Sequence, residues 1–389
     1  MSNSNTVIRS YQYKLYPRKA QKVVLDQVLR AGRFLYNHAL AYKIKRYRES
    51  RKSVSFNETC TLWKDWRNED PENNELRLLG ANPGQQVLRR LDKTYAAFFR
   101  RVQSGKGGGF PRFKGRNHFS SLDFVYGLSA HLVVEERRTL ISIQNIGNLK
   151  IKLHRPLPED GTIKMVNIKK KASGWYVSFA VELPATKFKP NGQPLVGIDM
   201  GISRLLTLSN GDVLDNPRWL KGNLDRLRVA QRKLARRVKG SHCRRKARHQ
   251  VALLHEHVAN TRRDFWHKAT FELVNHYGGI AIEKLDLRFM MRGNLSAAAH
   301  DAGLGMFTEL LHSKAESAGC VVVEVNPRNT SQACSGCGCI VKKDLSVRWH
   351  SCPHCGLELD RDENAARNIY HLAFKSAGIP PSGVNVERS

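Results

Sequence analysis

The sequence predicts a multi-domain α+β protein, and three observations carry that prediction. Apolar residues recur at helical spacing over about the first hundred positions, then alternate at strand spacing, and from Leu195 fall into short apolar runs separated by long helices. Two breaks, Ser104-Gly-Lys-Gly-Gly-Gly109 and the polar stretch Pro184 to Pro194, separate these textures. Two CxxC pairs, Cys334/Cys337 and Cys352/Cys355, then interrupt the third texture just before its last helix. At 389 residues the chain has room for two to three domains.

Each element follows from its local pattern. Val7–Leu15 alternates and reads as a strand, ended by Pro17, that joins the later β-rich unit. From Arg18 to about Ser50 the residues Val24, Leu25, Val28, Leu29, Phe34, Leu35, Ala39 and Leu40 trace one face of a helix. More helix is expected at Glu58–Arg67, and Asn82-Pro-Gly opens another from Gln85 to about Gln103. Leu132–Val134, Leu140–Ile143, Leu149–Leu153, Thr162–Lys170 and Trp175–Glu182 read as strands, with Ala172-Ser-Gly174 turning between the last two. Val196–Gly201 and Leu205–Leu208 are strands turned by Asn210-Gly211. Helices are expected from about Pro217 to Val238 and from about Arg244 to Tyr277, stopped by Gly278-Gly279. Ile280–Leu285 is a strand, Ala302–Ala318 a helix, Val321–Val325 a strand, and Asp362 to about Ser376 the final helix.

The charge balance narrows the partners. Lys plus Arg number 65 against 34 Asp plus Glu, a net +31 spread along most of the chain, which attracts polyanions. Nucleic acid is the first candidate and a membrane surface the second, but no apolar stretch is long enough to span a bilayer. Met1–Asn5 has no charged segment leading into an apolar one, so no signal peptide is expected. Of eight cysteines, four sit in the CxxC pairs, while Cys60, Cys243, Cys320 and Cys339 are scattered, a usage that fits a reducing cytosol and zinc rather than disulfides.

The CxxC pairs predict one closed, structural Zn²⁺ site on Cys334, Cys337, Cys352 and Cys355, ahead of the nearby Cys339, His350 and His354. Three acids then stand out. Asp199 and Glu283 each sit near the end of an apolar strand, and Asp362 opens the helix behind the ribbon. Three carboxylates on two strands and a helix are what two hard cations, Mg²⁺ or Mn²⁺, require, and such a pair activates water and stabilises the leaving oxygen in phosphodiester hydrolysis. Taken singly, each has a plainer role: Asp199 as a turn residue, Glu283 as a salt-bridge partner, Asp362 as a helix cap. Asp360 competes with Asp362, one capping the helix while the other faces the metals.

The motifs Gly197-Ile-Asp-Met-Gly201, Ile282-Glu-Lys-Leu285 and Asp360-Arg-Asp-Glu-Asn-Ala-Ala366 resemble the three RuvC motifs of the TnpB (OrfB) proteins, transposon-encoded RNA-guided DNA endonucleases. Tyr13-Lys-Leu-Tyr-Pro17, Phe110-Pro-Arg-Phe-Lys114, Asn326-Pro-Arg-Asn-Thr-Ser-Gln332 and Cys334–Gly338 extend the resemblance over essentially the whole chain. It implies Asp199, Glu283 and Asp362 as metal-binding catalytic acids. It also implies an RNase H-like (RuvC) mixed sheet with helices over 191–326 and 359–375, with a zinc ribbon inserted at 327–358. A wedge-like β domain (1–16 and 125–190), a helical recognition lobe (17–124) and a disordered tail (376–389) complete the implied layout. The implied partners are a structured guide RNA from the transposon and double-stranded target DNA beside a short flanking motif, met in a prokaryotic cytoplasm at the nucleoid. A nuclease-inactive RNA-guided regulator and a direct transposase are the alternatives.

Nucleic-acid contacts are expected where cations cluster. Arg232, Arg236 and Arg237 lie in a helix pair nearly all of one sign, suited to tracking phosphates. Arg112 and Lys114 stand among phenylalanines, either stacking on bases or anchored as a loop. Gln86 and Arg90 begin a lobe helix that can read base edges. His255-Glu-His257 is read as helix surface, and no Walker loop or nucleophile elbow is present.

Overall fold

The computed structural model describes residues 6–69, 75–105, 107–135, 138–184, 190–284, 296–344 and 347–375. The expected disordered tail, the middle of the 184–194 linker, Lys106 of the glycine-rich break and Leu285 of the second acidic motif lie outside them. The chain divides into two compact units, Met1–Ala185 and Thr186–Ser389, and the division falls within the linker read from the sequence.

The first unit runs β1 (Thr6–Tyr16), α1 (Lys19–Ser50), α2 (Phe56–Asn68), α3 (Glu75–Leu79), α4 (Ala81–Gln103), β2 (Ser121–Val125), β3 (Ala130–Glu135), β4 (Arg138–Ile143), β5 (Gly147–Lys152), β6 (Thr162–Lys171) and β7 (Gly174–Pro184). Its strands form one antiparallel sheet in the order β2-β6-β7-β1-β5-β4-β3, so the first strand does join the β-rich unit. A single core runs from helices to sheet, with Leu35, Tyr36 and Leu91 in the same cluster as Tyr13, Phe124 and Phe179. That corrects the division at residue 124. Ser121–Val125 is an edge strand of the sheet, missed because only Leu122 and Phe124 of its five residues are buried inward.

The second unit runs β8 (Leu195–Met200), β9 (Arg204–Leu208), β10 (Val213–Asp215), α5 (Trp219–Ala235), α6 (His242–His276), β11 (Gly279–Glu283), α7 (Ser296–Ala302), α8 (Leu304–Ala318), β12 (Val321–Val325), β13 (Trp349–Ser351), β14 (Glu358–Asp360) and α9 (Arg361–Tyr370), which continues as a π-helical turn, His371–Lys375. The sheet order is β10-β9-β8-β11-β12, with β8, β11 and β12 parallel and β9 and β10 antiparallel. The helix expected over Ala302–Ala318 is split by Gly303, whose left-handed backbone (φ +67°) starts a new axis. The end of α7 is fixed to α6 by a buried Arg262–Asp301 pair (2.7 Å) and by Trp266 Nε1–H donating to Ala302 O (2.9 Å).

Strand alternation sends the two faces of this sheet to different partners. Val196, Ile198, Met200, Ile280 and Ile282 join a core with Trp266 of α6 and Phe307 of α8. The opposite set includes Ala281, which packs with Val325, Ile369 and Phe374 in the layer under α9. Gly197 belongs to that second face, and a Cβ there would lie 2.2 Å from Ala366 O and 2.6 Å from Tyr370 N. Only glycine lets the helix backbone come this close. Gly197→Ala is therefore expected to push α9 off β8 and destabilise the unit by about 1–3 kcal/mol, the usual cost of overpacking, read as a lowered midpoint in thermal or urea unfolding.

Candidate active site and metal centre

The same face that accepts α9 carries the first two acids. Asp199 follows Gly197 by two residues, and Glu283 follows Ala281 by two, so both project toward the α9 side. The parallel register runs Ala281↔Gly197 and Ile282↔Ile198, and its continuation sets Glu283 beside Asp199 at the carboxyl ends of neighbouring strands. Asp362 lies one helical turn before Ala366, the residue that meets Gly197, so α9 presents it above the same strand ends.

Electrostatics report how closely these acids gather. Burial, then the charges of Glu283 and Asp362, push the Asp199 carboxyl from 3.8 up to about 8, with Arg361 opposing. Glu283 is raised by burial, partly offset by a hydrogen bond from the Thr330 hydroxyl at 2.5 Å. Asp362 Oδ1 accepts from Arg361 Nη2 (2.9 Å) and Nε (3.1 Å), and its Oδ2 faces Arg348 Nη1 at 3.4 Å. Asp360 does something else. It caps α9, accepting from the backbone N–H of Asp362 (2.8 Å) and Glu363 (3.4 Å), while its other oxygen pairs with Arg204 at 2.8 Å. Of the two candidate acids, Asp360 is thus the cap, and Asp362 is the one whose charge acts more strongly on Asp199.

Among the described residues only the four cysteines bring three or more ligand atoms within 4.8 Å of one another. The carboxylates do not close on a single point as the thiols do; Asp362 is drawn to its arginines. The donor set nevertheless suits hard cations, because carboxylate oxygens are their preferred ligands and the charges of Glu283 and Asp362 add to burial in raising Asp199.

The thiol cluster fits Zn²⁺. Cys334 Sγ lies 3.5 Å from Cys355 Sγ, and Cys337 Sγ 3.6 Å from Cys352 Sγ, close to the edge of about 3.8 Å that a tetrahedron of ~2.3 Å Zn–S bonds requires. Gly338 (φ +78°) and Gly356 (φ +70°) close the knuckles, their N–H groups donating to Cys334 O (2.8 Å) and Cys352 O (3.0 Å). Cys339 lies outside the cluster, and buried His350 pairs with Lys343 instead.

The basic candidates separate by what else they hold. Arg232 on α5 and Arg236 and Arg237 just past its end are exposed, beside a groove of about 890 Å³ between α5 and α6 whose lining includes Lys233, Arg237, Lys246, Val229 and Leu254. Arg244, from the same basic run, caps α5 by donating to Leu234 O (3.1 Å) and Arg237 O (2.7 Å). Arg112 is exposed, whereas the Lys114 backbone is tied to Asn37 and its ammonium sits over Tyr36. Phe110 packs on Tyr95 and Phe98, so that loop is anchored by one phenylalanine while Phe113 faces outward. Gln86 is half-buried, and Arg90 is spent inside the unit, on Asp123 (2.7 Å), Ser121 O (2.9 Å) and the Phe119 ring. Sequence reasoning gave no role to Thr330 or Arg348, which touch Glu283 and Asp362; Thr330 lies in a motif noted above, and Arg348 carried no local signal.

Comparison with known proteins places the chain. Residues 178–294 match the IS605 OrfB family, described as "Probable transposase", and residues 305–369 match the TNB domain of Cas12f1-like proteins. A protein of Streptomyces pristinaespiralis named "Putative RNA-guided DNA endonuclease" is 33% identical over 386 residues, covering 98% of this chain and 93% of that one. The chain belongs to the TnpB (OrfB) family. InsQ of Escherichia coli K12, which bears the same descriptive name, is 27% identical over 379 residues, 93% of this chain and 91% of that one. A helix-turn-helix family also matches residues 1–52, although in this TnpB-family chain they hold β1 and the uninterrupted α1. Two solved structures share the fold. One is the mini-RNA-guided endonuclease Cas_phi3 (TM-score 0.55, 11% identity, covering 97% of this chain and 94% of that one). The other is the Cas12f1–sgRNA–target DNA complex (TM-score 0.52, 12% identity, covering 94% and 99%).

Two outcomes follow for the site. Metal analysis of the purified protein is expected to give about one zinc per chain, and Cys352→Ser to lose it together with thermal stability. Because Asp199 is a carboxyl held above its ordinary value, the folded state binds an extra proton between pH 3.8 and about 8, and stability falls as pH rises through that window. Asp199→Asn removes this penalty. The metal-free variant is expected to melt several degrees above the parent near pH 8, with the gap closing toward about pH 4.

Proposed function

We propose that this protein is an RNA-guided DNA endonuclease of an insertion sequence, cutting DNA matched to a guide RNA beside a short flanking motif. The observation that carries the reading is the placement of Asp199 and Glu283 at the ends of neighbouring strands with Asp362 opening the helix packed on them, in a chain whose relatives bear that activity in their names. The mixed sheet flanked by helices supports assignment of this unit to the RNase H-like (RuvC) class. The first unit then supplies the wedge-like sheet and the recognition helices.

In this reading Asp199, Glu283 and Asp362 hold two Mg²⁺ or Mn²⁺ ions. Bound there, such ions would activate water for in-line attack on phosphorus and neutralise the leaving oxygen, giving 5′-phosphate and 3′-hydroxyl ends. The chain's own residues do the rest. Arg348 and Arg361 neutralise Asp362 and stand where they would meet a backbone phosphate, a task suited to guanidinium. Exposed Arg232, Arg236, Arg237 and Arg112 track the phosphates of guide and target, within the attraction of a +31 chain. Sequence choice is delegated to base pairing. No helix among the described residues is long and apolar enough to cross a membrane, in keeping with work on cytoplasmic DNA.

The test is cleavage of a plasmid by the ribonucleoprotein, with the copurifying RNA sequenced to define guide and scaffold. The parent is expected to cut the matched plasmid, and Asp199→Ala to bind it while cutting at least about a hundredfold more slowly, since even outer groups around a metal cost ~10–100-fold. Undiminished cutting by Asp199→Ala removes the site. Binding without cutting by the parent turns the reading into a regulator, and strand-transfer products without RNA turn it into a transposase.

A further inference from the structure

Among the described residues, Glu283 is the one of the three acids whose carboxylate is held by a neutral side-chain donor. Thr330 Oγ1 lies 2.5 Å from Glu283 Oε1, and Thr330 is 2% exposed, so no water competes for that hydroxyl. The hydroxyl also lies 3.0 Å from Pro327 O and has one proton to give, so it donates to the carboxylate when Glu283 is ionised. Thr330 sits on the connector from β12 to the ribbon, and α9 fixes its backbone. Asn368 Nδ2 donates to Thr330 O (2.9 Å) and Ala333 O (2.7 Å). One turn earlier, Asn364 Nδ2 donates to Ala333 O (2.7 Å) while its Oδ1 accepts from the backbone N–H of Ser335 (2.9 Å), between the first two zinc-site cysteines. Asn364 is wholly buried and Asn368 nearly so. One bonded path therefore runs from the first zinc knuckle through the helix that carries Asp362 to the oxygen of Glu283.

A plain anchoring role would be met by the two asparagines alone, since they satisfy the connector's carbonyls. The threonine hydroxyl adds something they do not. It fixes one oxygen of a carboxylate that β11 brings to the sheet edge, the way groups behind a metal ligand orient it. Resting on the endonuclease reading above, we propose that Thr330 is a positioning residue for Glu283, holding that carboxylate for the divalent cation and tying it to the zinc ribbon through Asn368.

Thr330→Val keeps the shape and removes the hydroxyl; Thr330→Ser keeps the hydroxyl and trims the shape. The readout that packing alone would not move is the affinity of the purified protein for Mn²⁺, by calorimetry or by electron paramagnetic resonance, alongside the Mg²⁺ concentration for half-maximal plasmid cleavage. Thr330→Val is expected to weaken Mn²⁺ binding and raise the Mg²⁺ requirement about tenfold, within the ~10–100-fold range of such groups, with zinc content and matched-DNA binding unchanged. Thr330→Ser is expected to stay close to the parent in both. Parent-like metal binding in Thr330→Val overturns the proposal, as does equal damage in Thr330→Ser, and as does a loss confined to zinc content and melting temperature. If instead the parent shows no Mn²⁺ binding that Asp199→Ala abolishes, the endonuclease reading itself has failed.

Discussion

The backbone-to-backbone approach of α9 to β8 at Gly197 governs the second unit. A side chain of any size at that position would hold the helix away, and Asp362 would no longer reach the strand ends that carry Asp199 and Glu283. The two strands supply a fixed pair of acids through their parallel register, a property of the sheet alone. The third acid comes from an element distant in sequence, so its position depends on how the helix packs. The electrostatic cost shows at Asp199, whose carboxyl is raised first by burial and then by its acidic neighbours and so opposes folding at neutral pH. Arg361 and Arg348 offset part of it at Asp362, and the helix N-terminus, where partial positive charge favours acids, offsets more.

The ribbon is best understood from that requirement. About thirty residues between β12 and α9 cannot bury enough apolar surface to order themselves, and a metal cross-link at the four clustered cysteines would supply what the missing core does not. Its two-stranded sheet, β13 with β14, leads directly into the Asp360 cap, so the ribbon's last strand sets where α9 starts. Its first knuckle is bonded back to the same helix through Asn364. Held at both ends of the insertion, α9 is kept in register along its axis, which fixes Asp362 as surely as Gly197 fixes its height above the sheet.

Much of this was legible in the sequence because its causes are local. The apolar runs that make β8 and β11, the acids beside them and the spacing of the cysteines are all patterns over a few residues, and the structure puts those residues on one face or in one cluster. What could not be read depends on partners far along the chain. Arg90 looked like a free base-reading side chain until Asp123 and Ser121 claimed it. Arg244 looked like one more phosphate contact, but it closes the end of α5. Ser121–Val125 has too few apolar residues to announce a strand, and becomes one because β6 is there to pair with it. Thr330 lies in a motif the sequence singles out, but it carries no charge and no periodic signal, so its role beside Glu283 shows only in the distance between them.

The same sorting bears on how a strongly basic chain can be selective. Each cation bonded internally is removed from the pool that meets phosphate, because a guanidinium held by a carboxylate or by helix carbonyls must break those bonds to bind elsewhere. At the end of α5 the exposed Arg232, Arg236 and Arg237 stand along one short stretch, while Arg228 is paired with Asp225 and Arg244 is consumed by the helix end. The net charge therefore overstates the binding surface. It supplies a long-range attraction that salt weakens, while cations free of internal bonds are the ones open to a phosphate. A polyanion drawn in by the whole field is held by a subset of it, and that subset is fixed by which internal bonds the fold has already made.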